Sequence, residues 1–142
     1  MASSVLHLDM ELFLVGWYRT HLAARPEAYC QGFSVDNKEP DPSKPFPARL
    51  LVVRSDGATR TSMATANASV GLSILAGTKL MPKDAIDAAL MVLALAEKLP
   101  AVELGNPVAA LLASAGPFVA DEDQQRARRY VTLELSTVGT AF

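Results

Sequence analysis

The sequence predicts a single α+β domain, because two segments show helical periodicity and several others show the patterns of strands. A chain of 142 residues suits one domain with its own core. Half of the residues are apolar and a fifth are charged, which excludes a disordered tail and lies at the apolar end of the soluble range. We therefore expect part of the apolar surface to contact another chain.

The first helix is predicted over about residues 9–24. Apolar side chains recur at helical spacing at Leu8, Leu12, Val15, Tyr18 and Leu22. Asp9 can accept hydrogen bonds from the free amides of a first turn, and Pro26 prevents continuation of the helix. Residues 36–48 differ in character, because four prolines there remove backbone donors and fix φ. We interpret 36–48 as a proline-rich loop within one domain, since too little chain precedes it to form a separate core.

Three strands are predicted in the middle of the chain. The run from Arg49 to Arg54 is apolar at four successive positions, which favours a central strand covered on both faces. Asp56-Gly57 is typical of a two-residue hairpin turn and predicts a half-exposed return strand over residues 59–63. Residues 70–76 alternate in polarity and predict another strand, which ends at Gly77.

The second helix is predicted from Pro82, which suits the first helical position, to about Lys98 near the negative end. Its middle (AALMVLALA) is apolar all round, so we expect cover on its second side as well, from the first helix or from a neighbouring copy. Residues 106–117 carry the start and stop signals of a short helix, but a strand leading into Phe118 and Val119 is the alternative. Residues 130–137 alternate as a half-buried strand.

The sequence offers few residues for catalysis, and we expect no enzyme activity, no cofactor and no metal. His7 and His21 lack metal-ligand spacing, and His21 is better explained as a cation near the end of the first helix. Cys30 is the only cysteine and has no nearby cation that would activate its thiol. Neither a nucleophile elbow nor a glycine-rich phosphate loop is present.

Charged residues are densest near residue 121, where an acidic run precedes three arginines. A calcium loop is excluded, because its sixth and twelfth positions hold Arg126 and Thr132. Mixed charges in one loop indicate pairing, either within the loop or across an interface. Trp17 is more often a core residue, but an exposed position would make it an interface anchor. The candidate interface therefore comprises Trp17, Asp121, Asp123, Arg126, Arg128, Arg129 and Tyr130.

Bulk charge and hydropathy limit the classes of partner. The formal net charge is −2 and the pI is about 5.6, so no overall basic field exists to hold nucleic acid. The first dozen residues lack the basic region of a signal peptide and contain Asp9 and Glu11. The longest apolar run, residues 88–96, is far shorter than the roughly 20 residues that cross a bilayer. We expect an intracellular protein that is not membrane-bound.

Several segments, taken in order, resemble the tail terminator proteins of long-tailed (siphovirus-type) actinobacteriophages, distant relatives of the lambda tail terminator. These segments cover most of the chain: DMEL at 9–12 with GWYR at 16–19, RLLVVRSDG at 49–57, VGLSILA at 70–76, Gly116-Pro117, Asp121-Glu122, RRYVTLEL at 128–135 and Gly139-Thr140. None is a catalytic signature, so the resemblance rests on their order and spacing. The chain departs from the family pattern in its proline-rich insertion between Cys30 and Arg49, and in lacking an aromatic residue near Leu75.

The resemblance implies an α+β subunit with two main helices packed on a mixed, largely antiparallel sheet, and it favours a strand over residues 108–119. It also implies a hexameric ring at the head-proximal end of the tail tube. Such a ring stops tube growth, docks a head-completion (neck) protein, and lets genome DNA pass through its lumen without sequence-specific binding. The expected location is the virion, after assembly in the host cytoplasm. The alternatives are another head–tail connector or a small ligand-binding or enzymatic module.

Overall fold

The computed structural model describes residues 4–41, 43–101, 103–121 and 125–142. It contains two helices, α1 (Met10–Ala23) and α2 (Lys83–Ala96), and a 3₁₀ turn at Ala28–Cys30. The strands are β1 (Val5–Leu6), β2 (Ser34–Asp36), β3 (Arg49–Arg60), β4 (Thr65–Ala76), β5 (Val108–Val119), β6 (Ala127–Val138) and β7 (Thr140–Ala141). The predicted α+β class is confirmed. None of the described helices is long and apolar enough to span a membrane.

Five strands form the main sheet in the order β2-β3-β4-β6-β5, while β1 and β7 pair separately. Only β2 and β3 are parallel, and the other neighbours in the main sheet are antiparallel. The predicted mixed, largely antiparallel sheet is therefore confirmed. β3 lies inside the sheet as expected, and its Leu50 and Leu51, which point to opposite faces, are both buried.

Both helices pack on one face of the sheet. The core residues of the central strands follow the period of two that places them on a single face, namely Leu51, Val53, Ala68, Val70, Leu72, Ile74, Val131, Leu133 and Leu135. α1 contacts β2 and β3, and α2 contacts β4, β5 and β6. The Tyr18 hydroxyl donates to the Val92 carbonyl over 2.9 Å, and burial raises the pKa of Tyr18. Neither of the two described helices lies on the opposite face of the sheet, which we call the open face.

The first helix follows its local signals, although its buried face differs in part from the predicted one. Asp9 Oδ1 accepts hydrogen bonds from the amides of Glu11 and Leu12, at 3.0 and 3.2 Å. The predicted cap is thus confirmed. Leu8 and Leu12 were expected in the apolar stripe but are 49% and 71% exposed. The buried positions are Met10, Leu14, Val15, Trp17, Tyr18 and Leu22. Apolar residues occur on nearly every side of this helix, so the periodicity is compatible with two choices of buried face.

The second helix begins one residue after Pro82, and it is not covered all round. Ala85, Ala88, Ala89 and Val92 are fully buried, whereas Leu90 is 51% exposed. Cover over the second side by this chain is therefore incomplete. That a neighbouring copy covers the exposed side of α2 stays a prediction.

The predicted turn at Asp56-Gly57 is wrong. β3 continues through it to Arg60, with a register shift against β4 between Ser55 and Ala58, and Gly57 has φ of 103°. A positive φ suits a bulge as well as a turn, so the same dipeptide serves either structure. Reversal of the chain occurs over residues 61–64, where the amides of Thr61 and Ser62 donate to the Thr65 carbonyl. The predicted return strand at 59–63 is therefore the end of β3.

Residues 108–119 form a strand, as the resemblance indicated and against the local helix signals. The Asn106 side chain accepts from the Val108 amide and donates to the Leu99 carbonyl. It thereby joins the residues that follow α2 to the start of β5. The signal that predicted a helix cap is used to close a loop.

Candidate interaction surfaces

Four of the seven residues predicted as an interface line one cavity, namely Asp121, Arg126, Arg128 and Arg129, whereas Trp17 is buried in the core. Trp17 is 8% exposed, lies edge-on to Tyr18 at 4.9 Å between ring centroids, and stacks on His21 at 3.8 Å. It is a core residue, so the exposed position on which its role as an interface anchor depended is not found. Asp123 lies outside the described residues. Arg128 and Arg129 belong to β6 and not to a loop, so the mixed-charge loop is shorter than expected.

The arginines at the start of β6 bind the proline-rich loop of the same chain. Arg126 donates from Nη2 to the Pro47 carbonyl over 2.7 Å, and its guanidinium lies 5.0 Å from the Phe46 ring centroid. Arg128 forms an ion pair with Glu39. The loop is thereby fastened to the sheet through both arginines. The sequence predicted pairing within the loop or across an interface, and the ion pair of Arg128 is with a distant segment of the same chain instead.

This attachment lies beside a buried apolar pair on the open face. Leu50 and Leu75 are paired across β3 and β4 and are each 1% exposed, yet neither belongs to the core under the helices. Arg128 is the next partner of Leu75 across the sheet. The proline-rich loop therefore closes one end of the open face over apolar side chains.

Reversing the charge of Arg128 is expected to destabilise the fold, because the Arg128 side chain is only 16% exposed and faces Glu39. Arg128→Glu should lower the free energy of unfolding by about 1–2 kcal/mol, between the values of surface and buried pairs. Arg129→Glu is the matched control, since Arg129 donates to the backbone carbonyl of Arg128 and has no described carboxylate partner. Urea denaturation measures both variants. If Glu39→Arg combined with Arg128→Glu restores no stability, the ion pair does not fasten the loop.

The open face carries a polar network beyond the loop. The Tyr130 hydroxyl lies over Gly71 on β4 and accepts from Arg54 Nη2 on β3 at 2.8 Å. A hydrogen bond to Asp56 raises the pKa of Arg54. Ser69 donates to Glu134 at 2.7 Å on the neighbouring strand. Tyr130, predicted at an interface, is half-buried, and its hydroxyl is bonded within the chain.

The cavities at the two ends of the sheet differ in the charge of the residues that line them. At the end where β5 finishes, a cavity of about 550 Å³ is lined by four cations and one described carboxylate, namely Lys79, Arg126, Arg128, Arg129 and Asp121. We call this the cavity end. The opposite end, which includes β1 and β7, has two shallow cavities lined only by uncharged residues. This β1 end exposes apolar side chains at Leu6, Leu8, Leu104, Val138 and Phe142.

The edge strand β5 was missed as a surface by the sequence interpretation. Leu112 and Phe118 are about half exposed, and Val119 is 79% exposed. No charged residue occurs from Leu104 to Ala120. The signal was present as a long uncharged run, but its exposure depends on β5 being the last strand of the sheet.

The candidate titratable groups do not converge on a catalytic constellation. His21 Nδ1 lies 2.8 Å from the Trp17 carbonyl in the last turn of α1, and Cys30 is buried, which raises the pKa of its thiol. His7 is half-buried near Gly139. Among the described residues, no group of three His, Cys, Asp or Glu side chains is placed to hold a metal ion.

No protein-family model and no curated protein matches the chain.

Proposed function

We propose that the protein is a structural subunit of a phage tail, a tail terminator that caps the head-proximal end of the tail tube as a ring of identical copies. The proposal begins from the resemblance of the sequence segments described above. Those segments lie largely in α1, β3, β4 and β6, which are the first helix and the three central strands. The resemblance therefore concerns the first helix and the central strands of the domain and not its surface loops.

The observation that carries the proposal is the difference between the two ends of the sheet. A 12-residue strand spans about 40 Å, so the cavity end and the β1 end are far apart and face different neighbours. The cavity at one end is lined by cations and a carboxylate, whereas the cavities at the other end are lined by uncharged residues. A cap needs this asymmetry, because one face must bind the tube while the other must reject a further tube ring.

A ring of identical copies requires a heterologous contact, in which one patch meets a different patch on the next copy and the rotation closes. The exposed apolar side chains of β5 and of α2 supply surface for such contacts. DNA passing through the lumen would meet a chain of net charge −2, which favours passage without strong binding. The tube protein and a head-completion protein are the expected partners on the two ring faces.

Deletion of the gene from the phage tests the function. A tube presents the same growing face after every ring, so its growth continues unless a cap binds that face more favourably. Phage without this protein should make tails of irregular and often excessive length that fail to join heads, while heads fill with DNA. Electron micrographs measure both effects, and restoration of the gene in trans is the control. Normal-length tails attached to heads would refute the assignment.

The second candidate among structural phage proteins is a neck adaptor that binds the head. It predicts filled heads without tails beside free tails of normal length. Mixing the purified protein with isolated tail tubes distinguishes the two hypotheses, because a terminator should sediment with tubes and an adaptor should not.

One observation favours a function from another class, the binding of an anionic ligand. The cavity of about 550 Å³ brings Asp121 beside Lys79, Arg126 and two further arginines. Among the described residues that line it there is no histidine, cysteine, serine or threonine, so the cavity offers charge for binding but no imidazole, thiol or hydroxyl for catalysis. Calorimetric titration with inorganic phosphate and with nucleotides tests this candidate. Saturable binding, with tails of normal length in the deletion phage, would favour it over the cap.

A further inference from the structure

The proline-rich loop is attached to the sheet by side chains and not by strand pairing. Its four prolines have no amide proton to donate. Among the described residues, the hydrogen bonds that join residues 38–48 to the main sheet come from Arg126 and Arg128, at the start of β6. Arg126 donates to the Pro47 carbonyl, and Arg128 donates to Glu39. The polar attachment of the loop therefore depends on two guanidinium groups.

The same two arginines line the cavity of about 550 Å³ where β5 ends. Lys79, Arg129 and Asp121 complete its charged lining within the described residues. A guanidinium forms strong, planar hydrogen bonds with the oxygens of carboxylates and phosphates. An oxyanion that enters this cavity therefore meets donors that already bind the loop. Such a ligand and Glu39 compete for Arg128.

The loop covers apolar side chains of the open face. Leu50 and Leu75 are paired across β3 and β4, and each is 1% exposed. Pro40 and Pro47 of the loop line a further cavity together with Leu50. Movement of the loop away from the sheet therefore exposes apolar surface at this end of the open face.

We propose that the cavity binds a small oxyanion of the phosphate type and that its binding releases the proline-rich loop from the sheet. A phosphate at Arg128 places a like charge beside Glu39, so each weakens the binding of the other. Because the coupling between two sites is reciprocal, release of the loop also strengthens binding of the ligand. Occupancy of the cavity thereby controls whether Leu50 and Leu75 are covered. The inference rests on the anion-binding candidate described above and is independent of the cap.

Calorimetric titration with inorganic phosphate, at constant ionic strength in chloride, tests the competition. Glu39→Gln removes the competing carboxylate and should raise the affinity for phosphate about three- to tenfold. Asp41→Asn is the matched control, because it removes the same charge from the same exposed loop. The described partners of Asp41 are the amide and hydroxyl of Ser43, so this variant should bind phosphate as the wild type does.

Titration with AMP identifies the source of the phosphate group. Tighter binding of AMP than of inorganic phosphate would assign the site to a phosphate carried by a larger ligand. Equal or weaker binding of AMP would assign it to the free anion. Release of the loop is expected with either ligand, because both bring the same group to Arg128.

Hydrogen exchange, followed by mass spectrometry, measures the release. Saturating phosphate should speed exchange of the amides in residues 38–48 by about the same three- to tenfold factor, while the centres of β4 and β6 stay protected. In Glu39→Gln these loop amides should exchange faster even without phosphate, since the loop has lost one attachment.

The possible failures are distinguishable. Absence of saturable binding would overturn the proposal together with the anion-binding candidate. Saturable binding with unchanged or slower exchange of the loop would overturn the coupling and leave the candidate standing. So would equal effects of Glu39→Gln and Asp41→Asn on the affinity. Tail length in the deletion phage is measured independently, so none of these results is confused with failure of the cap.

Discussion

Replacement of Gly116 by alanine is expected to destabilise the protein by about 3 kcal/mol, close to 10 °C in melting temperature for a domain of this size. Gly116 lies in β5 with φ of 120°, a conformation that side chains with a Cβ rarely adopt. An added Cβ would lie 2.7 Å from the Tyr130 carbonyl oxygen and 3.2 Å from the Val131 Cα. Both atoms belong to the backbone of β6, so neither can rotate away. The penalty therefore combines backbone strain with a steric clash.

Substitution of Gly57 provides the control that separates the backbone strain from the steric clash. It also has a positive φ, 103°, but an added Cβ there would meet no atom within 4 Å. Gly57→Ala should therefore cost only the strain, about 1–2 kcal/mol. Thermal and urea denaturation of both variants measures the difference. Equal losses of stability would show that the β5–β6 backbones move apart without cost, which would contradict the packing described here.

Features governed by neighbouring residues were predictable from the sequence. Asp9 caps α1, Pro82 directly precedes α2, and the alternation after Tyr130 marks β6, because each depends on residues a few positions apart. The local sequence was not sufficient where the same dipeptide is compatible with two different structures. Asp56-Gly57 allows a positive φ, and only pairing with β4 determines that it forms a bulge inside a long strand.

Surfaces were harder to predict than elements, because exposure depends on which neighbours the fold brings together. Trp17 and Leu12 lie on the same helix, and periodicity did not determine which one faces the sheet. The pairing of Arg128 with Glu39 joins residues far apart in the sequence. Charge density indicated that Arg128 would have a partner, but only the return of the proline-rich loop to β6 identifies it. The open edge of β5 likewise follows from strand order and not from composition.

The Gly71–Tyr130 contact gives the second large effect, and it is testable as an energetic coupling. An added Cβ at Gly71 would lie 2.1 Å from the Tyr130 hydroxyl oxygen and 2.8 Å from the ring carbon that bears it. Gly71→Ala must therefore displace the ring, which breaks the 2.8 Å hydrogen bond from Arg54 and exposes the middle of β4. We expect a loss of about 2 kcal/mol in the free energy of unfolding.

The same substitution should behave differently once the ring is absent. In a Tyr130→Ala background the space above Gly71 is empty, and alanine in a strand is more favourable than glycine by about 0.5–1 kcal/mol. Gly71→Ala should then be neutral or slightly stabilising, which gives a coupling energy of about 2 kcal/mol in the double-mutant cycle. Urea denaturation of the wild type, both single variants and the double variant measures the cycle. Additive effects would mean that Tyr130 does not lie against Gly71 in solution, and that the polar network of the open face is not held by this contact.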